Sequence, residues 1–338
     1  MQLGRPRGLG AFALGISAFA IAHAAGAAEP DPCARSASIS PCFDADALWL
    51  PAGPANFVAF GSPRTLRAGE LTLMLGAGIV RRPVVLTAPS PHPEGREVPV
   101  VETTSTVTLG GRLGLGHGLD VGMVLPWVPY QSGTGAEGVT TQHGDGLARP
   151  VLRDPRVGIA ATLLGRTVDA PFTLGTKLEL ALPLGNASAL AGSAGPTIAP
   201  AFGAELLAGR LTFGAELGAR LRRAVQFADV NVGSEAFVGA GAAVSLLREP
   251  GLTAGVEASL RPRLAARSPA AITGAFDLPT EWLAHVRFEP VPAWSFQLAG
   301  GSGIPLSSTR VSSGTETALG VTAPSFRLLA AARYSFSR

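Results

Sequence analysis

His285 is the one histidine that falls inside a predicted strand. A histidine beside a serine and a polar orienter is the minimum for lipase-like acyl transfer. No partner serine is identifiable, so His285 reads as a polar side chain on the inner face of its strand, and a hydrolase centred on it is the least favoured function. Ala191-Gly192-Ser193-Ala194-Gly195 has the letters of a nucleophile elbow. That motif needs a strand before it and a helix after it; Pro196 and another predicted strand follow here, so the stretch reads as a Gly/Ser loop. His92, His117 and His143 sit in separate connections without metal-ligand spacing. Gly144-Asp145-Gly146 offers one carboxylate where calcium takes several oxygens. Gly114, Gly116 and Gly118 are spaced like part of a phosphate loop, but no helix follows and they read as a turn. We therefore expect no catalytic set, no cofactor and no metal, and a protein that is not an enzyme.

Cys33 and Cys42 are the two cysteines. They follow what reads as an export signal over 1–27, with Arg5 and Arg7, an apolar run from Leu9 to Ala22 and small-residue sites such as Ala22-His23-Ala24. The alternative is an N-terminal anchor, for which the apolar run is short. Arg5-Pro6-Arg7 is not a twin-arginine pair, and no Leu-rich lipobox precedes Cys33. Export to an oxidising compartment predicts a Cys33–Cys42 disulfide. Residues 28–68 are rich in proline and small polar residues, with apolar patches at Ala47-Leu48-Trp49-Leu50 and Phe57-Val58-Ala59-Phe60. We read them as an extension without a core of its own, either periplasmic or folded into a barrel as a plug.

The elements that position these residues are strands. Charged residues make up 15% of the chain and glycine is abundant at 43 residues. Mean hydropathy is +0.30, yet no continuous apolar run after the N-terminus approaches the ~18 residues of a spanning helix. The hydrophobicity is carried by alternation. From Thr106, Val107, Leu109, Leu113 and Leu115 oppose Thr106, Thr108 and Arg112; after Gly116-His117-Gly118, Leu119, Val121, Met123, Leu125 and Trp127 oppose Asp120 and Val124. From Gly69 onward the same pattern predicts about twelve strands: 69–82, 103–115, 119–130, 155–165, 172–184, 197–209, 211–224, 235–247, 252–264, 280–290, 294–304 and 325–337. Short connections (116–118, 167–171, 209–210, 248–251, 290–293) alternate strictly with long polar ones (83–102, 131–154, 185–196, 225–234, 265–279, 305–324). An all-β, up-and-down antiparallel transmembrane barrel over 69–338 produces that alternation, with short periplasmic turns and long outer loops. Aromatics fall into two belts in this arrangement, Phe172, Phe213, Phe288, Trp294, Phe296, Tyr334 and Phe336 at one end, Trp127, Tyr130, Trp282 and Phe326 at the other.

The signal, the strand pattern and the final strand, Ser325 to Arg338 with alternating apolar residues closing on Phe336, together resemble Gram-negative outer-membrane β-barrel proteins of the porin-like or OmpA-like N-terminal barrel kind. The chain departs from that pattern in the Ser337-Arg338 that follows the last aromatic. The resemblance implies the bacterial outer membrane, contact with its lipid and lipopolysaccharide, and recognition of the last strand by the barrel-insertion machinery. No nucleic-acid partner is expected from a net charge of +3 without basic runs interleaved with aromatics.

Charges collect on the strand face that would line the lumen. Arg112, Lys177, Glu179, Glu205, Glu216, Arg220, Arg222, Glu257, Arg261, Arg263, His285, Arg287, Arg327 and Arg333 are the pore-lining candidates. Arg220, Arg222, Arg261, Arg263 and Arg327 gather near the outer mouth in this topology, which would favour anions. The expected function is a narrow passive channel for small solutes, with an anion preference. The competing expectation is a non-conducting structural barrel closed by ion pairs or by the N-terminal segment.

Overall fold

The computed structural model describes residue 33 and residues 39–88, 96–136, 147–167, 170–228, 230–264, 278–304, 319–321 and 323–336. The expected signal segment, His92, His143, the 144–146 loop and the last two residues lie outside them. Chain contacts divide the protein into Met1–Asp31 and Pro32–Arg338, and every described residue belongs to the second unit.

The strands are β1 (Leu71–Ala88), β2 (Arg96–Gly116), β3 (Leu119–Ser132), β4 (Val151–Leu152), β5 (Arg156–Leu164), β6 (Phe172–Ala181), β7 (Thr197–Ala208), β8 (Leu211–Arg220), β9 (Val225–Phe227), β10 (Val230–Val232), β11 (Glu235–Leu247), β12 (Gly251–Leu260), β13 (Thr280–Val291), β14 (Trp294–Ile304), β15 (Leu319–Val321) and β16 (Phe326–Phe336). Twelve of them form one closed antiparallel barrel. Each pairs with its neighbour in the order β1-β2-β3-β5-β6-β7-β8-β11-β12-β13-β14-β16, and β1 closes the ring by pairing with both β2 and β16. Closure satisfies every strand edge, which a barrel in hydrocarbon requires.

The period of two sorts the side chains. Along β13, Trp282, Val286 and Phe288 are exposed on the outer wall while Glu281, Leu283 and His285 are buried inside. The same outer face carries Leu73, Leu75, Ile79, Leu109, Leu113, Met123, Leu125, Phe202 and Leu217. A continuous apolar belt of this extent faces lipid; in water it would be an aggregation surface. Trp294, Phe296, Tyr334 and Phe336 stack on one another at the short-turn end, with centroid separations of 5.6, 4.8 and 4.4 Å. Trp127, Tyr130, Trp282 and Phe326 are exposed towards the long-loop end. The turn at Gly116-His117-Gly118 takes positive φ at all three residues, 87°, 54° and 77°, which glycine accepts without strain.

Two features differ from the sequence expectation. The stretch 83–102, expected as a loop, is largely strand: β1 and β2 continue to Ala88 and from Arg96 as an arm beyond the barrel, with β15 paired to β1 at Val85–Thr87. A register shift between Arg81 and Val84 marks where the arm leaves the wall. Its valines and Leu86 are held by packing rather than by lipid: Val84, Leu86, Val100 and Val101 join Phe43, Leu147, Leu190, Phe227 and Val232 in a buried cluster. The stretch 225–234, also expected as a loop, contains the β9–β10 hairpin that supplies Phe227 and Val232. The apolar patches of the N-terminal segment lie inside the barrel: Leu48, Leu50, Phe57, Val58, Ala59 and Phe60 pack against the wall residues Met74, Phe237, Ala243, Leu283, Ala299 and Leu329.

Candidate functional site: the occupied lumen

The N-terminal segment runs through the barrel from the long-loop end to the short-turn end. Cys33 and Cys42 are joined by a disulfide. Beside it Ser40 donates its N–H to Gln226 O at 2.8 Å, and Phe43 meets Phe227 edge to face at 5.2 Å. At the other end Leu66 N–H donates to Asp120 at 3.2 Å, and Gly69 N–H reaches Gly114 O at 2.9 Å. Between these ends the chain has no regular secondary structure. Its backbone donors and acceptors must therefore find partners in the wall.

Charged wall residues supply them. Glu257 accepts from Val58 N at 2.8 Å and Ala59 N at 2.9 Å. Glu205 accepts from Asn56 Nδ2 and Ser62 Oγ, both at 3.0 Å. Arg220 donates to Ala47 O at 2.6 Å and Arg156 to Leu50 O at 2.9 Å, and the two guanidiniums lie 4.1 and 4.6 Å from the Trp49 ring. Phe57 stacks on Phe60 at 4.7 Å and meets His285 edge to face at 5.8 Å. This ring sits against two glycines that are register partners: a Cβ on Gly214 or Gly241 would come within 2.3 or 2.6 Å of it.

Replacing Glu257 with alanine removes the acceptor for two plug-side amides in a buried setting. We expect a loss of about 2–4 kcal/mol in unfolding free energy, measured by urea titration in detergent micelles; an unchanged midpoint would show that these two bonds do not hold the segment.

Nearer the long-loop end lies an ion cluster. Arg327, on β16 and 1% exposed, reaches Asp46 at 2.9 Å and also bonds Glu281. Arg153 holds Asp44 at 2.6 Å and Asp46 at 3.2 Å, and Arg261 lies 3.8 Å from Glu281. Arg220 and Arg222 both reach Glu235 at 3.2 Å. In the adjoining outer connection, burial pushes the Asp154 carboxyl above the ordinary carboxylate range, while the N–H groups of Gly185 and Ser193 pull it back. Ser193, the centre of the elbow-like motif, is thus part of a loop tied to Asp154.

The structure places the remaining sequence candidates as follows. Arg112 binds Asp120 at 2.6 Å, Lys177 binds Glu216 at 2.8 Å and Glu179 lies 3.7 Å from Arg156. Arg263 takes part in a β-bridge with Glu235. His285 is buried with its Nδ1 3.6 Å from Glu257, so what it meets is a carboxylate and a phenyl ring. Arg287 lies 3.4 Å from Glu289, and Arg333 donates to Gln297 at 2.9 Å. Of the mouth arginines, Arg220, Arg222, Arg261 and Arg327 are engaged by carboxylates. Sequence reading missed Asp44, Asp46, Trp49, Arg153, Arg156, Glu235 and Glu281. The visible signal was Asp44 and Asp46 set two apart in a stretch otherwise short of charge.

The lumen is not completely filled. A crevice of about 50 Å³ lies between the segment and β3, β5, β6 and β7, lined by Pro51, Ser62, Arg112, Asp120, Lys177 and Glu216 among others. That is room for about four waters. A second gap of about 30 Å³ shares Pro51, Lys177, Glu179 and Glu216 and continues towards Trp49 and Arg220.

No protein-family model matches the sequence, and no curated protein matches it. Among solved structures, an outer membrane channel from Pseudomonas putida F1 superposes with a TM-score of 0.54 at 13% identity, over 83% of this chain and 100% of that one. The KdgM porin aligns with a TM-score of 0.43 at 7% identity, over 78% of this chain and 99% of that one, too distant a likeness to support an argument. The first likeness concerns the fold, and with the lipid-facing belt and the closed twelve-strand ring it identifies the architecture as that of an outer-membrane β-barrel.

Proposed function

We propose that this protein is a narrow passive outer-membrane channel for small solutes, with a preference for anions, whose bore is set by residues 39–68 acting as a plug. The observation that carries the reading is the crevice beside the plug, which Lys177, Glu216, Glu179, Arg112 and Asp120 line between plug and wall. A strip of alternating charge keeps water and ions in the barrel, where a purely structural interior would be served by close packing. In this reading the short turns face the periplasm and the Cys33–Cys42 loop lies at the outer mouth.

The test is single-channel recording in planar bilayers with a salt gradient. Small, stable conductance steps are expected, and Lys177→Glu, at the crevice, is expected to move the reversal potential towards cations. Wild-type protein without steps sinks the reading. A second reading, a closed structural barrel, is favoured by the buried cluster of Phe43, Val84, Leu86, Val100 and Phe227 at the mouth. Silence of the full-length chain supports that alternative.

A further inference from the structure

Near the short-turn end, three neighbouring strands present nitrogen donors that find no acceptor among the described residues. Arg287 on β13 is the register partner of Gln297 on β14, and Arg333 on β16 pairs with Ser295 two residues away. Arg333 is 3% exposed, and its side chain donates from Nη1 to Gln297 Oε1 at 2.9 Å. Its Nε and Nη2, the Nε of Arg287 and the Nε2 of Gln297 are all buried without an acceptor among the described residues.

Charge makes the arrangement less complete still. The Arg287 guanidinium acts on Arg333 as a like charge. Among the described residues no carboxylate forms an ion pair with Arg333. Glu289 lies 3.4 Å from Arg287 but on the partly exposed rim, and Glu205 is occupied by Asn56 and Ser62. The other deeply buried arginines differ in this respect: Arg261 and Arg327 face Glu281, and Arg156 faces Glu179. Arg333, buried beside the like charge of Arg287, calls for a counter-charge that no described residue supplies, while Arg287 is served only at the rim by Glu289.

The donors specify what that counter-charge looks like. Nε and Nη2 of Arg333 form one edge of the guanidinium fork, which fits two oxygens of a single group in parallel. Arg287 Nε and Gln297 Nε2 are left for a third oxygen or a second lone pair. We propose that Arg333, Arg287 and Gln297 form a binding site for a small oxyanion, of the phosphate, sulfate or carboxylate type. Entry is from the short-turn end past Arg287, whose side chain is 18% exposed. The site stands whether or not the barrel conducts; its contribution to anion preference rests on the channel reading.

Binding is measured directly on the full chain in detergent micelles, by titrating inorganic phosphate at ionic strength held constant with chloride and recording heat and the thermal unfolding midpoint. Saturable binding and a raised midpoint are expected for the wild type. Arg333→Met is expected to weaken binding at least about tenfold, the loss of a charge-assisted pair, and Arg287→Gln to weaken it as well. Arg333→Lys keeps the charge without the forked edge and is expected to fall with Arg333→Met. Heat-modifiable migration on gels shows that each variant has folded. Absence of saturable phosphate binding in the wild type overturns the site, as does undiminished binding by folded Arg333→Met. Wild-type affinity in Arg333→Lys, or an equal response to chloride alone, overturns the oxyanion geometry. None of these readings depends on conductance.

Discussion

Replacing Arg327 with methionine is expected to destabilise the barrel by about 3–5 kcal/mol, the size of effect that follows when one partner is removed from a buried ion cluster. Arg327 stands between two carboxylates of different origin, Asp46 on the plug and Glu281 on β13, and all three are buried. Methionine fills a similar volume, so packing is largely kept and charge is what changes. Asp46 would retain Arg153 at 3.2 Å, but Glu281 would be left with Arg261 at 3.8 Å. The cause can be isolated with the triple variant Arg327→Met, Asp46→Asn, Glu281→Gln, which removes the stranded charges along with the arginine. It should recover much of the loss in urea-unfolding experiments. A single variant as stable as the wild type would show that the cluster does not tie plug to wall; a triple variant as weak as the single would assign the loss to packing.

The contrast between this cluster and the sequence expectation shows what a sequence can carry. The wall was legible because its signal is local: a residue and its neighbour two along decide which face is greasy, so Trp282 and Phe288 outside and His285 inside follow from period alone. The aromatic ends of the strands were legible for the same reason. The β1–β2 arm was not, since Val84 and Val100 look alike whether their rungs end at the membrane or continue upwards, and packing against Phe227 decides it. The candidate site was half legible. Parity placed Arg220, Arg261 and Arg327 on the inner face, but which carboxylate each meets is set by the register between neighbouring strands, as for Glu235 and Glu281, and by the path of the plug, as for Asp46. The path of the plug depends on its backbone N–H groups meeting Glu257 and Glu205 side chains. No periodicity records such bonds. A faint trace remained in the inward positions of Gly214 and Gly241, paired in register, which leave the hollow that Phe57 fills.

Removing residues 33–64 is expected to leave a folded barrel whose conductance is at least several-fold that of the full chain. What holds the wall is distinct from what fills it. Wall strands are joined by complete antiparallel ladders, with β1–β16 paired from Leu71 to Arg81 and β8–β11 from Leu211 to Arg220; these bonds do not involve the plug. Twelve strands enclose a lumen wider than the side-chain-filled interior of an eight-stranded barrel. Once Phe57, Phe60 and Trp49 leave it, the arginines and glutamates of the wall gain water and ions as partners, which lowers the penalty of losing the plug carboxylates. Stability should fall, because burial of each large apolar plug residue contributes about 1.5–3 kcal/mol, but the fall should be in the unfolding midpoint and not in the fraction that reaches the folded form. Phe57→Ala with Phe60→Ala should give an intermediate conductance, since it widens the gap and keeps the backbone bonds to Glu257. Single-channel steps of the same size in all three proteins, each shown folded by heat-modifiable migration, would mean that the lumen is not the route and that any current passes elsewhere.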